Sequence, residues 1–328
     1  MVQRIQIYES LSTDPYYNLA VEKHLLESVA ADSCILYLWQ NQNTVVIGRN
    51  QNPWVECRLS LLEAEGGKLA RRLSGGGAVF HDLGNLNFTF LVPQDAYDLD
   101  RQLSVIREAC ASLGIQAERS GRNDILVDGR KFSGNAFYHS QGKAYHHGTL
   151  LVDADTEKLS RYLSPSKAKL EAKGVTSVRS RVVNLRQFVP DLTCGTLREG
   201  MKAAFSDVYK QTPETITLSE EAASAIAQDR AHNASWQWLY GAPLPFSFSC
   251  DARFGWGGIQ LQLEVASGVI KQVQIYTDAL DWTIPQTVEQ VLTGCCFSRD
   301  SLLHALACSC LDPQICDDLQ SLIAQQDI

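Results

Sequence analysis

Apolar and polar positions alternate along the chain in two periods, and the switch between them predicts most of its elements. After Thr13-Asp14-Pro15, a cap signal with proline at the first helical position, Leu19, Ala20, Leu25, Leu26 and Val29 recur at helical spacing. Two apolar runs follow, residues 35–39 and 44–48, separated by Gln40-Asn41-Gln42-Asn43 and read as a hairpin, with 49–54 as a polar loop. A short helix is predicted near residues 59–65, and a strand over 68–73 enters a glycine-rich segment. In the exit strand Leu86, Phe88, Phe90 and Val92 share one face.

Leu99, Leu103, Ile106, Cys110 and Leu113 then mark a helix stopped by Gly114. Residues 125–127 and 130–137 flank Asp128-Gly129, a pair favoured in two-residue hairpin turns, and 146–152 forms a further strand. A helix near 196–209 and polar helical sequence to about residue 231 follow. The stretch Gly241-Ala242-Pro243-Leu244-Pro245 is the best domain boundary. Beyond it, residues 259–265 and 269–276 form strands around a Ser267-Gly268 turn, and the remainder reads as helices. Antiparallel strands with segregated helices give an α+β class: a large N-terminal domain over residues 1–245, with mostly antiparallel sheets and flanking helices, and a small α+β C-terminal domain over 246–328.

A length of 328 residues agrees with two domains. No apolar run approaches the ~20 residues of a membrane span, and the first residues lack the apolar core of a signal peptide, so a cytoplasmic protein is expected. The net charge of −8 argues against a nucleic-acid or membrane surface, so any anion site must be local. None of the ten cysteines falls in a CxxC pair, and they read as reduced thiols; the clustering of six towards the C-terminus has no explanation in the sequence.

The chemistry centres on Arg71-Arg72-Leu73-Ser74-Gly75-Gly76-Gly77-Ala78-Val79-Phe80-His81-Asp82-Leu83-Gly84-Asn85. Three glycines let the backbone approach a ligand and turn N–H groups onto an anion, although a plain glycine hairpin has the same pattern. Adjacent strand residues point to opposite faces, and Arg72 is favoured over Arg71 for the ligand side. Lys131 sits just past the tight turn beside Ser133-Gly134, as either a solvated hairpin lysine or a ligand contact. Asn123-Asp124 is open between a turn cap, an orienting group for a lysine and a metal ligand. His146 and His147 point apart and make poor joint metal ligands. Trp39 and Val46 are either core or the lining of an apolar tunnel. The basic stretch 164–183, with five basic residues and one acidic residue, is either a solvated loop or a cover for an anionic ligand.

The glycine segment resembles the lipoate-protein ligase A family, as do Val45-Val46-Ile47-Gly48-Arg49-Asn50-Gln51-Asn52-Pro53-Trp54, Gly121-Arg122-Asn123-Asp124-Ile125, Lys131-Phe132-Ser133-Gly134 and His146-His147-Gly148-Thr149-Leu150. The motifs occur in the family's order over essentially the whole chain, including the small C-terminal domain of the two-domain bacterial form. The resemblance implies a biotin/lipoate ligase-like fold and a two-step reaction. Lipoate and ATP, with Mg2+, give lipoyl-adenylate and pyrophosphate, and the lipoyl group passes to a lysine on the lipoyl domains of 2-oxoacid dehydrogenase E2 subunits or on glycine-cleavage H protein.

By matching positions, Lys131 is the implied catalytic residue. Adenylate binding falls to Arg72, Gly77, Ala78, Val79, Phe80, Lys131, Ser177, Val178 and Arg179, and lipoate binding to Arg72, Ser74, Gly75, Gly76, Gly77, Lys131 and His147. Asn85, Asn123, Asp124, Ser133 and Gly134 support them, and the metal ligands stay unassigned. Leu73 departs from the polar or basic residue common there. The rival readings are a transferase that uses preformed lipoyl-adenylate, a cysteine-dependent acyltransferase, and a non-catalytic binding module. Cys110 on an apolar helix stripe speaks against the acyltransferase.

Overall fold

The computed structural model describes residues 2–121, 123–163, 182–240 and 248–326. In chain order its elements begin β1 (Arg4–Glu9), α1 (Pro15–Ser28), β2 (Ser33–Trp39), β3 (Thr44–Ile47), α2 (Pro53–Glu56), α3 (Leu59–Ala64), β4 (Lys68–Arg71), β5 (Val79–His81) and β6 (Asn85–Pro93). They continue with α4 (Leu99–Ala111), β7 (Glu118–Ser120), β8 (Asp124–Val127), β9 (Arg130–Ser140), β10 (Lys143–Leu151), α5 (Thr156–Tyr162), α6 (Cys194–Tyr209), β11 (Glu214–Thr215), α7 (Glu220–Asn233) and α8 (Trp236–Tyr240). The small C-terminal unit comprises β12 (Phe248–Phe254), β13 (Gly257–Ala266), β14 (Val269–Thr277), α9 (Ile284–Leu292), α10 (Arg299–Ala307) and α11 (Pro313–Ala324).

An eight-stranded sheet in the order β11-β1-β2-β6-β10-β9-β8-β7 forms the middle layer. Its period-2 strands divide their side chains between two cores. Cys34, Leu36 and Leu38 of β2, with Leu86, Phe88, Phe90 and Val92 of β6, pack against α4 and α6 residues such as Ile106, Cys110, Met201 and Phe205. Ile35, Tyr37 and Trp39 face the other way, onto α1 and onto Val46 and Ala70 of a second, three-stranded sheet ordered β4-β3-β5. Asn87, Thr89 and His147 are buried polar residues in β6 and β10. Burying such groups requires partners, and that places the chemistry on the α1 side of the sheet.

The predicted hairpin between residues 35–39 and 44–48 does not form. β2 pairs with β1 in parallel and β6 in antiparallel, whereas β3 pairs with β4 and β5 in the other sheet. Both strands are buried on both faces, so apolar content could not name their partners. The intervening segment is a crossing held by tertiary bonds: Asn41 is buried, its Oδ1 accepts from Asn18 at 2.9 Å, and its Nδ2 lies 3.2 Å from His81 Nδ1. The end of the expected 49–54 loop is helical instead: Pro53 and Trp54 open α2, started by Asn52 and Pro53.

Other expectations hold. The 128–129 turn has φ of 48° at Asp128 and 71° at Gly129, the left-handed pair of a tight hairpin turn, and joins β8 to β9. Gly114 ends α4 region sequence at φ 77°. Beyond residue 248 a meander β12-β13-β14 backs onto α9, α10 and α11 around its own core of Leu261, Leu263, Val288, Leu302 and Leu319. The segment expected to divide the domains, 241–245, lies outside the described residues. All ten cysteines are free thiols. No described helix is long and apolar enough to cross a membrane.

Candidate functional site

The glycine loop runs between β4 and β5, and its neighbours leave it no room for side chains. A Cβ at Gly48 would stand 2.3 Å from Gly76 O, and one at Gly75 would stand 2.3 Å from Ala279 O in the C-terminal unit. Gly76 adopts φ 87° and donates its N–H to Ala279 O at 2.8 Å. The loop is thereby pressed between β3 and the C-terminal unit.

Beside it lies a cavity of about 180 Å3. Leu19, Trp39, Val46, Val79, Ala136 and Leu280 supply apolar wall, Arg72, Lys131 and Arg253 supply cations, Asp278 supplies a carboxylate, and Asn87, Asn123, Asn135, His81, His147 and Thr149 supply further polar groups. Trp39 and Val46 thus line it, which the sequence left open.

Arg71 and Arg72 diverge as strand geometry requires. Arg72 lines the cavity and is turned onto the loop itself: Nη2 donates to Gly75 O at 2.7 Å and Gly77 O at 2.8 Å, Nη1 to Val46 O at 3.2 Å, and Nε to Ser74 Oγ at 3.0 Å. Burial pushes its pKa down to about 10, so it stays charged at neutral pH. Ser74 Oγ also lies 2.8 Å from His147 Nε2, and His147 Nδ1 lies 2.8 Å from Glu22 Oε1, which accepts from Thr89 Oγ1 at 2.7 Å. The Glu22 carboxylate can only accept, so His147 Nδ1–H donates to it. A chain of hydrogen bonds from Arg72 through Ser74 and His147 to Glu22 fixes this wall. Glu22 on α1 was missed by sequence reasoning, because an acid inside an apolar helix stripe reveals its partner only when β10 packs against it.

Lys131 reaches the cavity from β9, its Nζ 2.7 Å from Asp124 Oδ1, and both side chains are largely buried. Of the readings open for Asp124, the orienting group for a lysine is the one seen. The ammonium lies over Gly134, where a Cβ would be 2.6 Å from Nζ. Asn123 and Asn135 clasp each other across this corner, with Asn135 N donating to Asn123 O at 2.8 Å and Asn123 Nδ2 to Asn135 O at 3.0 Å. Two further polar atoms next to the cavity, His81 Nε2 and Asn87 Nδ2, are buried without a hydrogen-bond partner among the described residues. Burial and nearby Arg72 hold the His81 pKa down to about 3, so its imidazole is neutral. Neither residue was singled out from the sequence.

Of the expected site residues, Arg72, Gly76, Gly77, Ala78, Val79, Asn123, Lys131, Gly134 and His147 line one cavity. Ser74, Gly75 and Asp124 stand behind that wall and act on it through the bonds above. Ser133 is buried, 3.4 Å from Asn135 Nδ2, and Asn85 donates to Asn87 at 2.8 Å. The Phe80 side chain does not join them: it packs on Tyr162 in a separate cluster, with ring centroids 5.3 Å apart. Ser177, Val178 and Arg179 lie outside the described residues. His146 points away, bonded to Gln102 and Asn135, and the two histidines share no ligand.

Cationic groups beside an apolar wall suit a ligand with an acyl chain and an anionic head. Covalent thiol chemistry has no footing: burial pushes the Cys110 thiol up to about 12 and Cys194 up to about 11, and neither lines the cavity.

Comparison with known proteins agrees with that class. Residues 14–206 match the lipoyl protein ligase A/B catalytic domain, and residues 244–318 match the bacterial lipoate protein ligase C-terminus. A lipoate-protein ligase A from Psychrobacter cryohalolentis is 42% identical over 307 residues, 91% of each chain. LipL1 of P. falciparum, solved in complex with lipoate, superposes with a TM-score of 0.84 at 27% identity, covering 98% of this chain and 99% of that one. A lipoate-protein ligase A solved with ATP gives 0.64 at 26% identity over 74% of this chain and 99% of that one. The chain belongs to the lipoyl protein ligase A/B family.

Proposed function

We propose that this enzyme condenses lipoate with ATP to lipoyl-adenylate and then transfers the lipoyl group to the ε-amine of a lysine on an acceptor lipoyl domain, glycine-cleavage H protein being a second acceptor. The observation that carries the reading is the convergence of Lys131 and the Arg72-braced glycine loop on one cavity with an apolar wall.

In this reading the apolar wall of Trp39, Val46 and Ala136 takes the acyl chain, and loop residues 76–79 meet the adenylate. Lys131, already oriented by Asp124, lies between the lipoyl carbonyl and the α-phosphate. In the first step a lipoate carboxylate oxygen attacks the α-phosphorus and pyrophosphate leaves. In the second the acceptor amine attacks the acyl carbon and AMP leaves. Negative charge builds on the same oxygens each time, and a fixed ammonium stabilises it without reorganising, worth about 3 kcal/mol. Arg72 supplies a second positive charge while keeping the loop carbonyls turned away from the phosphate. No enzyme-bound acyl group is needed.

Magnesium enters with the nucleotide as the MgATP substrate. Among the described residues no group of three or more His, Cys, Asp or Glu could hold a metal, and Asp124 and Asp278 are engaged by Lys131 and Arg253.

The test is lipoate-dependent exchange of pyrophosphate into ATP, run beside acylation of an isolated lipoyl domain. Wild type is expected to perform both, and Lys131→Ala to lose exchange by about 100-fold or more with unchanged circular dichroism. Acylation from supplied lipoyl-adenylate without exchange in wild type would identify a transferase instead. Normal exchange in Lys131→Ala would sink the assignment of the lysine.

A further inference from the structure

A second cavity, of about 540 Å3, lies in the seam between the three-stranded β4-β3-β5 sheet and the C-terminal unit. Two hydrogen bonds through Asn50 fix the seam: Thr277 N donates to Asn50 O and the Asn50 side-chain Nδ2 donates to Trp282 O, both at 2.8 Å. Two guanidinium groups, Arg49 and Arg71, line the cavity, and Glu289 is the only acidic side chain among the described residues that do.

Arg71 contributes charge, with all three of its nitrogens turned onto main-chain carbonyls. Its Nε donates to Trp238 O at 2.9 Å, Nη1 to Arg49 O and Gln51 O at 2.8 Å each and to Gly48 O at 3.2 Å, and Nη2 to Leu239 O at 2.5 Å. Carbonyl oxygens satisfy its hydrogen bonds without cancelling its charge, and among the described residues no carboxylate pairs with it. A buried, unneutralised guanidinium favours an anion nearby.

Arg49 and Gln51 supply the donors. The Arg49 guanidinium stacks over two indoles, with Cζ 4.8 Å from the Trp282 ring centre and 5.8 Å from that of Trp238. Stacking leaves the in-plane N–H groups of a guanidinium available, and this one makes no side-chain hydrogen bond or ion pair to a described residue. Gln51 is 2% exposed; its Oε1 accepts from Gly48 N at 2.8 Å, which fixes the amide, and its buried Nε2 has no hydrogen-bond partner among the described residues. An unpaired buried donor costs stability unless an acceptor meets it.

We propose that this cavity is a second binding site, separate from the acyl and nucleotide site, for a small oxyanion whose oxygens accept from Arg49 and Gln51 Nε2 within the field of Arg71. Phosphate and carboxylate share this chemistry. The occupant touches both sides of the seam, because Tyr276, Trp282 and Gln286 of the C-terminal unit form its far wall. It therefore stabilises the folded pair of units by an amount that grows with the logarithm of its concentration over its dissociation constant.

The test is calorimetric titration with inorganic phosphate and, separately, with malonate, on wild type, Lys131→Ala, Arg49→Gln and Gln51→Glu. Gln51→Glu keeps the acceptor for Gly48 N and replaces the donor with a repelling oxygen, so it serves if Arg49→Gln fails to fold. The expected result is saturable binding in wild type and in Lys131→Ala, weakened at least about 10-fold in the two seam variants. Binding that rises the melting temperature only of proteins with an intact seam supports the same conclusion. A response to one anion alone names the group recognised. Binding lost in Lys131→Ala but kept in both seam variants would place the anion in the first cavity and overturn the proposal, as would no saturable binding of either anion.

Discussion

Gly134 shows how narrowly a single residue sets the site. A Cβ there would stand 2.6 Å from Lys131 Nζ and 2.9 Å from Cε, so any side chain pushes the ammonium off its position. Gly134→Ala is expected to lower pyrophosphate exchange by about 100-fold with near-native thermal stability, because a misplaced charge forfeits most of its stabilisation of the transition state. Exchange within twofold of wild type would mean that Lys131 does not act from this pose. Glu22 acts one step further back. Replacing its carboxylate by an amide leaves the His147 Nδ1–H with a neutral acceptor at best, and the chain to Ser74 and Arg72 loosens. Glu22→Gln is expected to raise the KM for lipoate about tenfold, the worth of one charge-assisted hydrogen bond, as read from initial rates over a lipoate series. An unchanged KM would reduce Glu22 to a packing residue. The glycine run, Arg72 and Lys131 could be read from the chain, since each needs a particular residue type. Glu22, His81 and Asn87 could not, since their burial and partners depend on elements far apart in sequence.

At the scale of elements, the β8–β9 hairpin is what carries Lys131 into the cavity. Its turn demands positive φ at both Asp128 and Gly129, which only glycine and a few short polar residues accept readily. Gly129→Val is expected to cost about 1–3 kcal/mol, seen as a lower urea midpoint at unchanged slope, with a larger fractional loss of activity as the strand register slips. A loss of stability without loss of activity would show that the turn does not set the position of Lys131. This hairpin was legible because its turn chemistry is local. The supposed hairpin between β2 and β3 was not, because a four-residue polar segment fixes no register and both strands are buried on both faces. Their partners were chosen by Asn41, wedged between Asn18 and His81, which no periodicity reports.

For the molecule as a whole, burial of neutral imidazoles makes stability depend on pH. Burial holds the pKa of His81 and of His146 down to about 3, with Arg72 adding to the effect on His81 and His147 on His146. Both folded values lie below the ordinary 6.5. The unfolded chain therefore binds protons that the folded chain refuses, and the stability these residues contribute is complete above about pH 6.5 and lost as pH falls towards 3. Each histidine adds a slope of about 1.4 kcal/mol per pH unit in that window. Denaturation series between pH 7 and 4 are expected to show falling stability, and His146→Gln to flatten the slope. A pH-independent midpoint would contradict the buried neutral state.

The sequence by itself determined the period of most elements, the α+β class, the tight turns and the residue types suited to an anionic ligand, because backbone sterics and side-chain chemistry are local properties. Tertiary structure alone decided that β3 leaves β2 for another sheet, that Arg71 and Arg72 serve opposite cavities, and that the C-terminal unit closes on Gly75 and Gly76. Those outcomes rest on which buried donors find acceptors across separations from tens of residues, as for Asn41, to about two hundred, as for Gly76 and Ala279, and pairing of that kind is settled only when the whole core packs.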